Sequence, residues 1–197
     1  FNKEKCMKNA LKLILTVFLV VLFFSGTSFA TTIDLMPASA SIDVDGSIDV
    51  DIVISGLDAD NLADFSIDLN YDAAVLSFTG YTLGSELTDP LWGQDDWSTG
   101  DSGGVINLSE LSWLEDLSSQ PDSFTLATVS FDGITVGTSA LTISNLVLGS
   151  DLYLPIFADV NGGSIEVSAP VPEPTTMLLF GIGLLVFAGI NRKKKIL

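Results

Sequence analysis

The chain has 197 residues, 47% of them hydrophobic, with 25 acidic against 8 basic side chains and a formal charge of −17 at pH 7. All eight cations, Lys3, Lys5, Lys8, Lys12, Arg192, Lys193, Lys194 and Lys195, lie at the two ends, leaving residues 31–170 with 23 carboxylates and neither Lys nor Arg. A stretch of that charge repels phosphate backbones, which excludes nucleic acid as a partner. Histidine is absent and the single cysteine is Cys6, which removes His-based acid–base chemistry, Ser-His-Asp triads, the common zinc sites and a thiol nucleophile from that stretch.

In chain order, Phe1 is no initiator, whereas Met7 precedes Lys8, Lys12 and an apolar run over 13–24. Met7 therefore reads as the start, with residues 1–6 as upstream read-through. The run breaks at Ser25-Gly26, and Ser28 and Ala30 occupy the −3 and −1 positions of a cleavage site after Ala30, the pattern of a secretory signal peptide over 1–30 removed by signal peptidase.

From residue 31 to 168, short alternating apolar runs are separated by Gly, Asp, Asn and Ser, which predicts strands. Ile42 and Val44 alternate with acids, Asp45-Gly46 turns the chain, and Ile48, Val50, Ile52 and Ile54 alternate again, a hairpin signal. Phe65, Ile67 and Leu69 share a strand face, and Val75, Leu76 and Phe78 begin the next run. Further strands are expected over 104–108, 124–131, 140–148 and 164–167, with a possible helical turn around 108–117. The expectation is one all-β sandwich domain over 31–170, a length sufficient to bury a single core.

Within it, Trp92, Trp97 and Trp113 fall in the least regular part, beside Asp95, Asp96 and Asp101. Aromatic faces flanked by carboxylates suit sugar binding, because pyranose C–H groups pack on rings while hydroxyls donate to acids; the other reading is that they anchor a long loop to the core. Asp58, Asp60, Asn61 and Asp64 offer several oxygens in a short loop, as calcium requires, although Asp and Asn also favour turns. No cofactor is required, and calcium is the single candidate. A glycosidase would need two opposed carboxylates in a cleft, and with 23 present any chosen pair is uninformative.

The C-terminal end reads Val171, Pro172, Glu173, Pro174, Thr175, Thr176, an apolar run over 177–190, then Asn191 and the basic cluster Arg192, Lys193, Lys194, Lys195. The two prolines forbid a helix across the first segment and hold it extended. Fourteen residues span about 21 Å as a helix, short of a hydrocarbon core of about 30 Å, so the run is a marginal transmembrane anchor. The basic cluster places the C-terminus on the cytoplasmic side and the acidic domain outside.

Residues 171–176 followed by that run and that cluster strongly resemble the PEP-CTERM sorting signal, whose pattern is Val-Pro-Glu-Pro-x-Thr, a short hydrophobic helix and basic residues. The resemblance implies recognition of 171–197 by an exosortase at the inner membrane of a Gram-negative bacterium and delivery to the surface or matrix. In the middle, Gly46-Ser47-Ile48-Asp49-Val50-Asp51-Ile52-Val53-Ile54-Ser55-Gly56, then Phe65-Ser66-Ile67-Asp68-Leu69-Asn70-Tyr71-Asp72 with Val75-Leu76, Leu126-Ala127-Thr128-Val129-Ser130-Phe131 and Asn161-Gly162-Gly163-Ser164-Ile165-Glu166-Val167 resemble cohesins, jelly-roll modules that hold dockerins and are related in fold to cellulose-binding modules. Ala73 stands where cohesins usually carry proline, and 88–103 has no counterpart. Together the resemblances imply an exported surface or extracellular-matrix protein whose cohesin-like β-sandwich is a non-enzymatic adhesion module for polysaccharide or another surface protein. The alternatives are a carboxylate-based polysaccharide hydrolase and a scaffold for a dockerin-like domain.

Overall fold

The computed structural model describes residues 30–57, 60–170 and 179–184. Ser28, the 171–176 motif, the 192–195 cluster and most of the 177–190 run lie outside the described residues; within that run, residues 179–184 are helical. No helix among the described residues is long and apolar enough to cross a membrane.

The described domain is all-β, with strands β1 (Thr31–Met36), β2 (Ser39–Asp43), β3 (Ser47–Ser55), β4 (Leu62–Asn70), β5 (Leu76–Leu83), β6 (Asp95–Asp96), β7 (Gly100–Asp101), β8 (Val105–Leu111), β9 (Ser123–Gly133), β10 (Gly137–Ser150), β11 (Ala158–Asn161) and β12 (Gly163–Ser168). They form a five-stranded sheet in the order β11-β1-β3-β9-β5 and a seven-stranded sheet in the order β2-β12-β10-β4-β8-β6, with β7 also on β8.

Period-two alternation is what lets these layers close on each other, because successive side chains point to opposite faces. Val50, Ile52 and Ile54 of β3 meet Phe65, Ile67 and Leu69 of β4 in one buried core, with Phe131 between Tyr71 and Phe78 at ring centroid distances of 5.1 and 6.5 Å. On β9 the alternation slips: Leu126 and Ala127 are adjacent yet both buried. A register shift between Ile52 and Val53 of the partner strand marks a β-bulge, whose extra residue returns the following side chains to the core.

Two expectations fail. Asp45-Gly46 is a turn, with the Gly46 amide donating to the Asp43 carbonyl at 2.9 Å, but the strands it joins are not a hairpin. β2 pairs with β12 and β3 with β1 and β9, so the turn carries the chain from one sheet to the other. Alternation states which side chains are buried and is silent on which layer supplies the neighbour. The helical turn around 108–117 is absent, since 108–111 belong to β8 and 112–117 are irregular. β1, β6, β7 and β11 were not foreseen.

The first and last strands run side by side. β1 pairs parallel with β11, Thr31 against Ala158, and β2 pairs parallel with β12, Asp43 against Ser168. Both segments cross between sheets, the first through the cis Met36-Pro37 bond and the second through Gly162 alone. A Cβ on Gly162 would stand 2.7 Å from the Leu141 carbonyl oxygen, so this crossing needs glycine.

Candidate functional site

The carboxylates find donors without cations. On the outer face of the five-stranded sheet, Thr128 and Ser130 hydroxyls donate to Asp51 and Asp49 at 2.6 Å each, and Asn161 donates to Asp34 at 2.7 Å. On the outer face of the seven-stranded sheet, Asp68 accepts from Asn107 at 2.8 Å and Asn145 at 2.6 Å. Those two hydrogen bonds, Asn107 first, hold its carboxyl below the ordinary carboxylate range. The result is a polar face in which the Asp68 carboxylate is shared between two side-chain amides.

The irregular segment after β5 is organised by its own acids. The Asp89 carboxylate accepts from the Leu91 and Trp92 amides at 2.7 and 2.9 Å, which presents Trp92 with 80% of its surface exposed. Trp113 follows β8, and its indole N–H donates to Asp95 on β6 at 2.8 Å. Trp92, Trp113 and Glu115 line one depression of about 480 Å³. It adjoins, through Trp113 and Glu115, a groove of about 540 Å³ whose walls include Asn61, Asp64, Asp116, Asp151 and Tyr153. Of the three predicted tryptophans the structure therefore brings Trp92 and Trp113 together. Trp97 lies apart from both depressions; its amide donates to the Ser109 carbonyl and its ring is exposed.

Of the predicted calcium loop, Asn61 and Asp64 line the same groove. Asp58 lies outside the described residues. Asp60 is exposed, while Asn61 turns its amide to Asp151 at 3.0 Å. Asp64 lies against the Gly149 backbone so closely that a Cβ there would meet its carboxylate, and burial raises its carboxyl. Among the described residues no group of three or more acidic, His or Cys side chains is placed to hold a metal ion.

Tyr153 was missed. It tops the tight turn after β10, at φ 60° and 97% exposed, with its amide donating to the Ser150 carbonyl at 2.9 Å. The available signal was Leu152-Tyr153-Leu154, an apolar run directly after Asp151 in a turn. Glu110 was missed as well: the alternation Ile106, Leu108, Glu110 points an acid inward, where it is 2% exposed with Oε1 unpartnered. Burial, and then the facing Asp96, raise its carboxyl to about 7.

A two-sheet sandwich with polar outer faces and an aromatic groove at its rim has the fold of the cohesin domains. A non-cellulosomal cohesin from the hyperthermophilic archaeon Archaeoglobus fulgidus superimposes with a TM-score of 0.58 at 20% identity, covering 72% of this chain and 94% of that one. A type I cohesin from Pseudobacteroides cellulosolvens gives 0.59 at 18%, covering 73% and 95%. A Clostridium thermocellum cohesin solved in complex with a dockerin gives 0.59 at 13%, covering 74% and 98%. Residues 170–193 match the PEP-CTERM protein-sorting motif. No curated protein matches the chain.

Proposed function

We propose that this is an exported protein, released from its signal peptide after Ala30 and routed by the 171–197 segment through an exosortase to the envelope or matrix of a Gram-negative bacterium. Its domain over 31–170 acts there as a non-enzymatic binding module for polysaccharide or another surface protein. The observation that carries this reading is the occurrence, in one chain, of a cohesin-fold domain and a PEP-CTERM sorting motif. Arg192, Lys193, Lys194 and Lys195 keep the tail on the cytoplasmic side, while Val171, Pro172, Glu173, Pro174, Thr175 and Thr176 supply the motif to be processed.

Mass spectrometry of the protein from its native envelope tests the routing. The expected mature chain begins at Thr31 and ends near the 171–176 motif; a full-length cytosolic chain refutes the proposal. Pull-down on insoluble polysaccharides beside a reducing-sugar assay tests the absence of catalysis. Sugar release abolished by one Asp or Glu substitution would make the protein a hydrolase.

A second reading, a scaffold for a dockerin-like domain, is favoured by the dockerin complexes among the structural neighbours. The polar face around Asp68, Asn107 and Asn145 is the surface this reading assigns to such a partner. Capture of a dockerin-like protein encoded nearby, weakened by Asp68→Ala, supports it; the lack of any such gene counts against it.

A further inference from the structure

We propose that the groove lined by Trp113 and Tyr153 binds a neutral glycan chain, and that it sits at the end of the sandwich opposite Val167 and Ser168, the last residues of the domain's final strand. The inference rests on the binding-module reading and names its ligand, its site and its orientation.

One aromatic ring and the backbone beneath a second are held in place before any ligand arrives. Trp113 is fixed by its hydrogen bond to Asp95. The backbone of Tyr153 is held by the turn that bonds the Tyr153 and Leu154 amides back to Ser150, which projects the ring into solvent. A fully exposed tyrosine in the left-handed region is costly on both counts, in apolar exposure and in backbone strain, and such outliers persist where the surroundings enforce them. Exposed rings can pack on the C–H faces of sugars, and Trp113, already hydrogen-bonded, does so with little further ordering. Trp92 extends the aromatic track beyond Trp113.

The walls of the groove carry acceptors. Asp116, whose carboxyl is kept below the ordinary range by the Ser118 side chain and amide, stands with Asp64, Asp151 and Glu115. Sugar hydroxyls are donors and match this lining. Residues 31–170 hold no Lys or Arg, so a uronate, sulfate or phosphate on the chain would meet like charge and no counter-ion. The two adjoining depressions, about 540 and 480 Å³, each fall in the range of small-ligand sites, and side by side they suit an extended chain.

β10 sets the orientation. Its Gly137 end pairs with Val167, where the chain leaves toward the sorting segment, and its Ser150 end pairs with Leu62 and leads into Asp151 and Tyr153. At about 3.3 Å per residue, 14 residues separate the two ends by roughly 40 Å. A domain tethered through its last strand, as it is until the tail is cut, would thus present the groove at the end away from the tether.

Affinity electrophoresis of the full chain tests this, with hydroxyethylcellulose, galactomannan and xylan as neutral probes and alginate as the anionic one. At least one neutral glycan should retard the protein, alginate should not, and Trp113→Ala or Tyr153→Asn should weaken retardation at least tenfold. Asn tolerates the positive φ, so the second variant removes the ring and keeps the turn. Trp97→Ala and Phe157→Ala, exposed but outside the groove, should bind as the parent does. Failure of every neutral glycan, retardation by alginate alone, or retention unchanged in both groove variants overturns the inference. In the last case the wider reading stands, whereas glycan cleavage abolished by Asp64→Asn or Asp116→Asn overturns the non-enzymatic reading itself.

Discussion

The Trp113 indole nitrogen lies 2.8 Å from Asp95 Oδ2, and Asp95 pairs across the sheet with Leu111, two residues before the tryptophan. A two-residue edge strand therefore fixes an exposed ring from the side. Asp95→Ala should lower tryptophan fluorescence anisotropy while changing stability by about 1 kcal/mol or less, the range for an exposed hydrogen bond. The anisotropy change should vanish in a Trp113→Phe background; if it persists, the ring that moves is another.

Glu110 makes the domain sensitive to pH in an uncommon direction. Its folded carboxyl titrates at about 7, above its ordinary value, so the folded state binds the extra proton. Its contribution is fully present below the unfolded value and is lost as pH rises through about 7. Glu110→Gln should therefore match the parent near pH 4.5 and exceed it at pH 8, on the order of 1–3 kcal/mol. Asp68, held below the ordinary range by Asn107 and Asn145, acts in the opposite sense, losing its contribution as pH falls. Urea melts of parent and variant at both pH values check the difference, and equal curves at pH 8 would refute it.

Phe131 and Phe157 are the same residue type in opposite settings, 0% and 85% exposed. Phe131→Ala opens a cavity beside Tyr71 and Phe78 and should cost about 3–5 kcal/mol. Phe157→Ala should stay within about 0.5 kcal/mol of the parent. Chemical denaturation of the two variants measures both.

The 23 carboxylates of residues 31–170 share no Lys or Arg, and the donors they find are hydroxyls, amides and an indole. Mutual repulsion remains, and screening or cation binding relieves it. Added salt or millimolar calcium should raise the melting temperature, by about 2–4 °C for each kcal/mol gained. Calcium acting no better than sodium at equal ionic strength would assign the effect to screening; no change with either would show the charges too dispersed to matter.

The linear pattern of residues by itself determined the segregation of charge, the sorting motif over 171–176 and most of the β-strands, because each is written in neighbouring positions. Alternation at Val50, Ile52, Ile54 and at Phe65, Ile67, Leu69 identified buried faces correctly, since period two is a local property of extended backbone. The tertiary structure alone decided that Asp45-Gly46 joins two sheets, that Glu110 is enclosed opposite Asp96, and that Trp113 and Tyr153 share a groove. Those outcomes depend on which strands become neighbours, and that choice is made by the packing of two whole sheets around one core rather than by any short run of residues.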